Sequence, residues 1–262
     1  VTATWTNDSG NGKWNTTSLN WEQDEIDYEY KDGVAVVFGD EEAGTVTLVG
    51  DIAPKSVLVD STQDYTWVAD AAEGGKLTGS MKLTKQGTGT LHIKTSNDFT
   101  GGTQIEGGTV VAGTATALGT GAVQLNGGTL EIGAAGMANV ISNIGNSALQ
   151  TSSGIIHALT GIISNSGTLT LSGSFDASAL AKSDSDDIYV DVNGTEDKNG
   201  SGFLRSGDFN VLVVNGGTVD ATAATITWNG TELEMTGGTG FAAGAMLYDT
   251  YRILSDYTAD AL

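Results

Sequence analysis

Two aspartates stand in settings where an acid–base pair could be built. Asp8-Ser9-Gly10 has the form of an acidic hydrolytic loop, and the apolar run Val57-Leu58-Val59 leads into Asp60-Ser61 as such a loop requires. Two carboxylates sharing one proton can activate water, because one stays protonated while the other acts as base. The competing reading is turn chemistry, since Asp-Ser-Gly is a common turn tripeptide and Thr62 replaces the glycine expected after Ser61. The turn reading is preferred, and Asp8 and Asp60 are the catalytic candidates if the chain hydrolyses anything.

Other chemistry has thinner support. The two histidines, His92 and His157, form no spaced metal or triad pattern, and His92 alternates with Leu91 and Ile93 so as to face solvent on a strand. No spacing singles out a glycosidase pair among the 32 acids. Trp5, Trp14 and Trp21 crowd the beginning of the chain beside Asn7, Asn15 and Asn20. Indole faces next to amides can bind sugars, so Trp5, Trp14, Trp21 and Asn15 are ligand-binding candidates. The same rings could plug the open end of a stacked-strand fold, and that reading is favoured. The run from Asp184 to Asn199 offers oxygen donors for calcium at Asp191, Asn193, Asp197 and Asn199. Its best alignment with a calcium loop puts Thr195 first and Ser206 where a bidentate glutamate belongs, so a solvated loop is preferred and no cofactor is assigned.

Composition narrows the classes. A net charge of −21 repels phosphate backbones and anionic lipid, which argues against nucleic acid and membrane-surface partners. The absence of cysteine removes disulfides, thiolate metal sites and cysteine nucleophiles. No apolar run approaches the roughly 20 residues of a membrane-spanning helix, and Val1-Thr2-Ala3-Thr4-Trp5 does not resemble a signal peptide, so an exported chain is expected here in mature form. The 38 glycines, one proline and many Thr, Ser and Asn residues suit short strands joined by tight turns.

Repeats must position whatever chemistry exists. The unit Gly-Thr-apolar-x-apolar starts at Gly89, Gly108, Gly128, Gly167 and Gly217. A period near 20 with one short strand per period predicts a β-solenoid, with Leu91, Ile93, Leu130 and Ile132 facing inward. The pairs Gly101-Gly102, Gly107-Gly108, Gly127-Gly128 and Gly216-Gly217, each followed by threonine, read as corners and not as phosphate cradles. Within residues 134–164, Met137, Val140, Ile141, Ile144 and Leu149 could form one amphipathic helix, but the interspersed Asn143, Gly145, Asn146 and Ser147 favour further solenoid turns.

Residues 75–132 carry a family likeness. Leu83-Thr-Lys-Gln-Gly-Thr-Gly-Thr-Leu-His-Ile93, Asn97-Asp-Phe-Thr-Gly-Gly-Thr103, Ile105-Glu-Gly-Gly-Thr-Val110 and Ala117-Leu-Gly-Thr-Gly-Ala-Val-Gln-Leu125 occur in order. This succession resembles the autotransporter-associated β-strand repeat, also called the passenger-associated transport repeat, departing from it at Asp98-Phe99, where Thr-Tyr is usual. The resemblance implies a parallel β-helix or related stacked fold, displayed extracellularly or on the outer-membrane surface of a bacterium.

The resulting expectation is an all-β protein: an aromatic-rich N-terminal β region or cap over 1–74, a parallel β-helix or stacked-strand solenoid over 75–181, a polar acidic loop over 182–202 and a β region over 203–262 that closes the same fold. Its expected role is adhesive or structural, contacting extracellular glycans or glycoproteins. The alternative is an aspartic protease-like hydrolase acting on an extracellular glycoprotein such as mucin, with Asp8 and Asp60 as its dyad.

Overall fold

The computed structural model describes residues 2–158, 163–165, 168–176, 212–214, 218–228 and 231–234. Every regular element among them is a strand. The chain winds between two 11-stranded sheets, with a two-stranded sheet on a third side formed by Gly50–Ile52 and Gly75–Leu77. In the first sheet Ala35–Phe38, Ser56–Asp60, Lys82–Gln86, Thr103–Ile105, Val123–Leu125, Ile141–Asn143 and Ile163–Asn165 pair in succession, all parallel. In the second, Thr45–Leu48, Tyr65–Ala69, Thr90–Ile93, Thr109–Ala112, Thr129–Ile132, Asn146–Thr151 and Thr168–Asp176 do the same.

This is the β-solenoid expected from the period near 20. Alternation along each strand sends every second side chain inward, and parallel register stacks equivalent residues from turn to turn. Tyr65, Leu91, Val110, Leu130 and Leu149 form one such column, and each is buried. The helical alternative fails over 134–164 because the period there is two: Ile141 and Leu149 are buried on strands, while Val140 and Ile144 are about half exposed.

The stack crosses the boundary expected at residue 74, since Ala35–Phe38 and Ser56–Asp60 already lie in register beneath Lys82–Gln86. The antiparallel strand pairing is confined to the beginning of the N-terminal β region. Thr2–Trp5 pairs parallel with Ala35–Phe38 and antiparallel with Leu19–Gln23, which in turn pairs antiparallel with Ile26–Glu29. At the other end, Leu212–Val214 and Thr218–Trp228 extend the two sheets, and Thr231–Glu234 turns back antiparallel. The acidic loop at 182–202, with Asp191, Asn193, Asp197 and Asn199, lies outside the described residues.

The pairs Gly101-Gly102, Gly107-Gly108 and Gly127-Gly128 are corners, and the two members of a pair differ in role, while Gly216-Gly217 lies outside the described residues. At Gly101-Gly102 the second glycine has φ +82°, while a Cβ on the first would stand 2.3 Å from the Met81 carbonyl oxygen of the turn below. A side chain is excluded in one case by conformation and in the other by the closeness of the next turn.

Polar side chains enter the core near corners, where they bond main-chain carbonyls. Lys85 is fully buried, and its ammonium donates to the carbonyls of Gln86 and Gly87. Desolvation lowers its pKa, opposed by the charges of Asp60 and Asp64. Asn143, one turn beyond Leu125 in the same inward column, donates to the carbonyls of Gly145 and Thr168. His157 is buried, and desolvation lowers its pKa to about 4.

Three stability measurements check this account. Leu130→Asp puts a charge into the apolar column and is expected to cost at least about 4 kcal/mol, or roughly 10 °C in Tm; an unchanged melt would show the register to be wrong. Lys85→Met keeps the packing but strips two buried carbonyls of their donor, with an expected loss of about 1–3 kcal/mol by urea unfolding. For His157, the unfolded chain takes up a proton near pH 6.5 that the folded chain refuses until about pH 4. Stability therefore falls across that window as pH is lowered, by about 3 kcal/mol in total, and His157→Gln should remove this component from the pH profile.

Candidate functional site

The two aspartates singled out from sequence do not form a dyad. Asp8 lies exposed in a tight turn, where Thr6 Oγ1 donates to its Oδ2 at 2.6 Å, Gly10 N donates to Asn7 O, and Ser9 N donates to Asn20 Oδ1. Asp60 is exposed at the end of Ser56–Asp60, in register with Gln86. Asp8 follows Thr2–Trp5, and Ala35–Phe38 lies between that strand and Ser56–Asp60, so the two strands are about 10 Å apart. Exposure and separation both oppose proton sharing, which needs adjacent carboxylates screened from water. The turn reading of Asp8-Ser9-Gly10 is the one realised.

The tryptophans are likewise corrected as ligand-binding residues. Trp5, Trp14 and Trp21 are 0–1% exposed, so none offers a ring face to a sugar. They surround Phe38, whose centroid lies 5.6, 5.3 and 5.3 Å from theirs, and Tyr65 and Trp67 close the same cluster at 5.3 and 5.4 Å. Edge-to-face contacts such as Trp5 with Trp21 at 5.2 Å and 78° fix the ring orientations. Asn15 spends its carbonyl on a local turn, accepting from Thr17 N and Ser18 N. The aromatic group is the plug of the first turns.

The motif residues turn out to be fasteners between turns. Asn97 is buried, accepts from Leu77 N at 2.8 Å in the turn below and donates to Ala117 O at 2.6 Å in the turn above. Phe99, two residues on, fills the core. The departure at Asp98 is matched by Lys76, whose ammonium lies 2.7 Å away. This pair is half exposed, and it lowers the pKa of Asp98 mainly through the hydrogen bond from Lys76. The sequence signal for Asn97 was its place in an ordered motif; its bonding needed the register.

Among the described residues, two outward sheet faces carry polar side chains in register. On the first, Thr84, Gln104, Gln124 and Ser142 stack in consecutive register. Lys82 donates to Gln104, Gln104 donates to Glu106, and Gln86 Nε2 donates to Glu106 Oε2 at 2.6 Å. On the second, Thr66, His92, Val111, Glu131 and Gln150 form a column, in which Gln150 and Ser152 both donate to Glu131. These columns repeat donors and acceptors at the inter-strand spacing of about 4.8 Å. Sequence reading missed them because their residue types differ from turn to turn, and only the repeat offset connects them. Among the described residues no group of His, Asp or Glu is arranged to hold a metal ion.

Comparison with known proteins agrees with this architecture. Residues 83–112 match the passenger-associated-transport-repeat family. Over 153 residues, 47% of this chain, the sequence is 31% identical to the adhesin BmaC autotransporter of Brucella suis biovar 1 (strain 1330). The match covers 4% of that relative's length. No solved structure matches. Residues 83–112 are thus similar to the passenger-associated transport repeat, and the 153-residue stretch is similar to part of an autotransporter adhesin; Asn97, inside the ordered motif, bonds one stacked turn to the next.

Proposed function

We propose that this chain is an adhesive or structural passenger module that contacts extracellular glycans or glycoproteins through an outward sheet face. The observation that carries the reading is the polar column Thr84, Gln104, Gln124 and Ser142, linked to Lys82, Gln86 and Glu106. Amide and hydroxyl groups at a fixed repeat suit a ligand that itself repeats polar groups, as a glycan does, and a rigid stack holds them without ordering cost on binding. The similarity to a protein named as an adhesin points the same way. The hydrolase alternative is not favoured, because Asp8 and Asp60 are exposed on separate strand levels.

Binding of the 262-residue chain to immobilised mucin-type glycoprotein, before and after enzymatic removal of its glycans, tests this. Gln104→Ala with Gln124→Ala is expected to weaken binding roughly ten-fold, at about 0.5–1.5 kcal/mol per lost hydrogen bond, with Tm unchanged. Full binding by the double variant, or by the deglycosylated surface, would reject the face or the glycan. Incubation of the same glycoprotein should leave it uncleaved, and cleavage lost in Asp8→Asn or Asp60→Asn would restore the hydrolase.

A further inference from the structure

The first sheet ends on Ile26–Glu29, which pairs with Leu19–Gln23 on one side and with no strand on the other among the described residues. Such an edge is a template for another strand. The turn joining the two strands is Asp24-Glu25, both at positive φ, 53° and 62°. In a two-residue hairpin the flanking pair, here Gln23 with Ile26, exchanges its hydrogen bonds within the hairpin. The next pair, Glu22 with Asp27, is then the non-hydrogen-bonded kind, whose side chains come closest. Two exposed carboxylates thus stand directly opposite each other, an arrangement that costs stability, and no ion pair among the described residues engages either. Glu29 lies on the same face as Asp27. On the opposite face Tyr28 packs against the core cluster, and Ile26 is 68% exposed.

The same geometry turns the N–H and C=O of Asp27 outward, toward the open edge. The edge therefore has what a partner strand needs, an outward main chain and an apolar face, together with charges that oppose it. We propose that the Glu22, Asp27 and Glu29 carboxylates guard a self-complementary edge, and that the strand they exclude is the same edge of a second copy of this chain. Antiparallel pairing about a two-fold axis would join Ile26 and Tyr28 of both copies into one apolar face. It would also crowd Glu22, Asp27 and Glu29 of both copies onto the other face, within a Debye length of one another. Like charge at such range keeps the copies apart, and the destabilising Glu22–Asp27 pair is the cost borne within each copy.

Sedimentation of the 262-residue chain across roughly two decades of concentration tests the guard. The natural chain is expected to stay monomeric, and Asp27→Thr with Glu29→Thr to become dimeric with an equal or higher Tm. Asp27→Pro with Glu29→Thr removes the same charges but also the outward N–H, so it should remain monomeric. A control with matched charge, Glu41→Thr with Glu73→Thr, should also remain monomeric. The proposal is overturned if the threonine pair stays monomeric, if the proline variant dimerises as well, or if the control dimerises too.

Discussion

No single turn of this chain can bury its own apolar residues. A turn of about 20 residues contributes only one or two inward side chains per strand, and those become dry only when the next turn lays its equivalents on top. Leu91 is buried because Tyr65 lies below it and Val110 above it in register. The requirement that columns coincide governs the rest of the molecule. It forces parallel pairing, and it brings corner backbone within van der Waals reach of the turn below.

The corners show how closely that requirement is met. Where turns approach, only glycine fits, and polar side chains reach the main-chain carbonyls of the corners from inside. Lys85 and Asn143 do so within the column that elsewhere holds Ile105 and Leu125. Asn97, on the third side, bonds to the turns below and above at once. A buried lysine is costly on its own, and its place here follows from the carbonyls it covers. Within the ordered motif Asn97 ties neighbouring turns and Lys85 covers the carbonyls of its own corner, which explains why the motif reports fold more directly than it reports a ligand.

This division determines what could be read from the sequence. The Gly-Thr-apolar spacing carried the strands, the inward faces of Leu91, Ile93, Leu130 and Ile132, and the corners, because period and alternation are local properties of the chain. The stack before residue 75 had a signal that was overlooked: Gly44-Thr45-Val46-Thr47-Leu48 has the same Gly-Thr-apolar-x-apolar form as the later turns and pairs with Tyr65–Ala69 in the second sheet. The residue types of Trp5, Trp14, Trp21 and Asn15 fitted a sugar platform as well as a plug, and only burial separates the two. Asp8 and Asp60 had suitable local sequence, but a dyad is a relation between distant segments, and local sequence does not encode the intervening strand. The outward polar columns are relations of the same kind, visible once register is known.

The antiparallel end of the described stack is held by two different kinds of chemistry. Its interior is filled by volume: Phe38 gathers Trp5, Trp14, Trp21, Tyr65 and Trp67 into one buried cluster. The indole N–H groups of Trp14, Trp21 and Trp67 find no hydrogen-bond acceptor there, so the plug accepts a polar penalty to obtain apolar bulk. Volume cannot protect an edge, whose attraction for another strand lies in the main chain and remains whatever side chains are packed behind it. What remains available is charge on the outward face, and the hairpin Leu19–Glu29 supplies it at positions where strand propensity alone would favour threonine or valine. The interior is therefore specified by shape and register, whereas the end of the sheet is specified by repulsion, and the two can be altered independently.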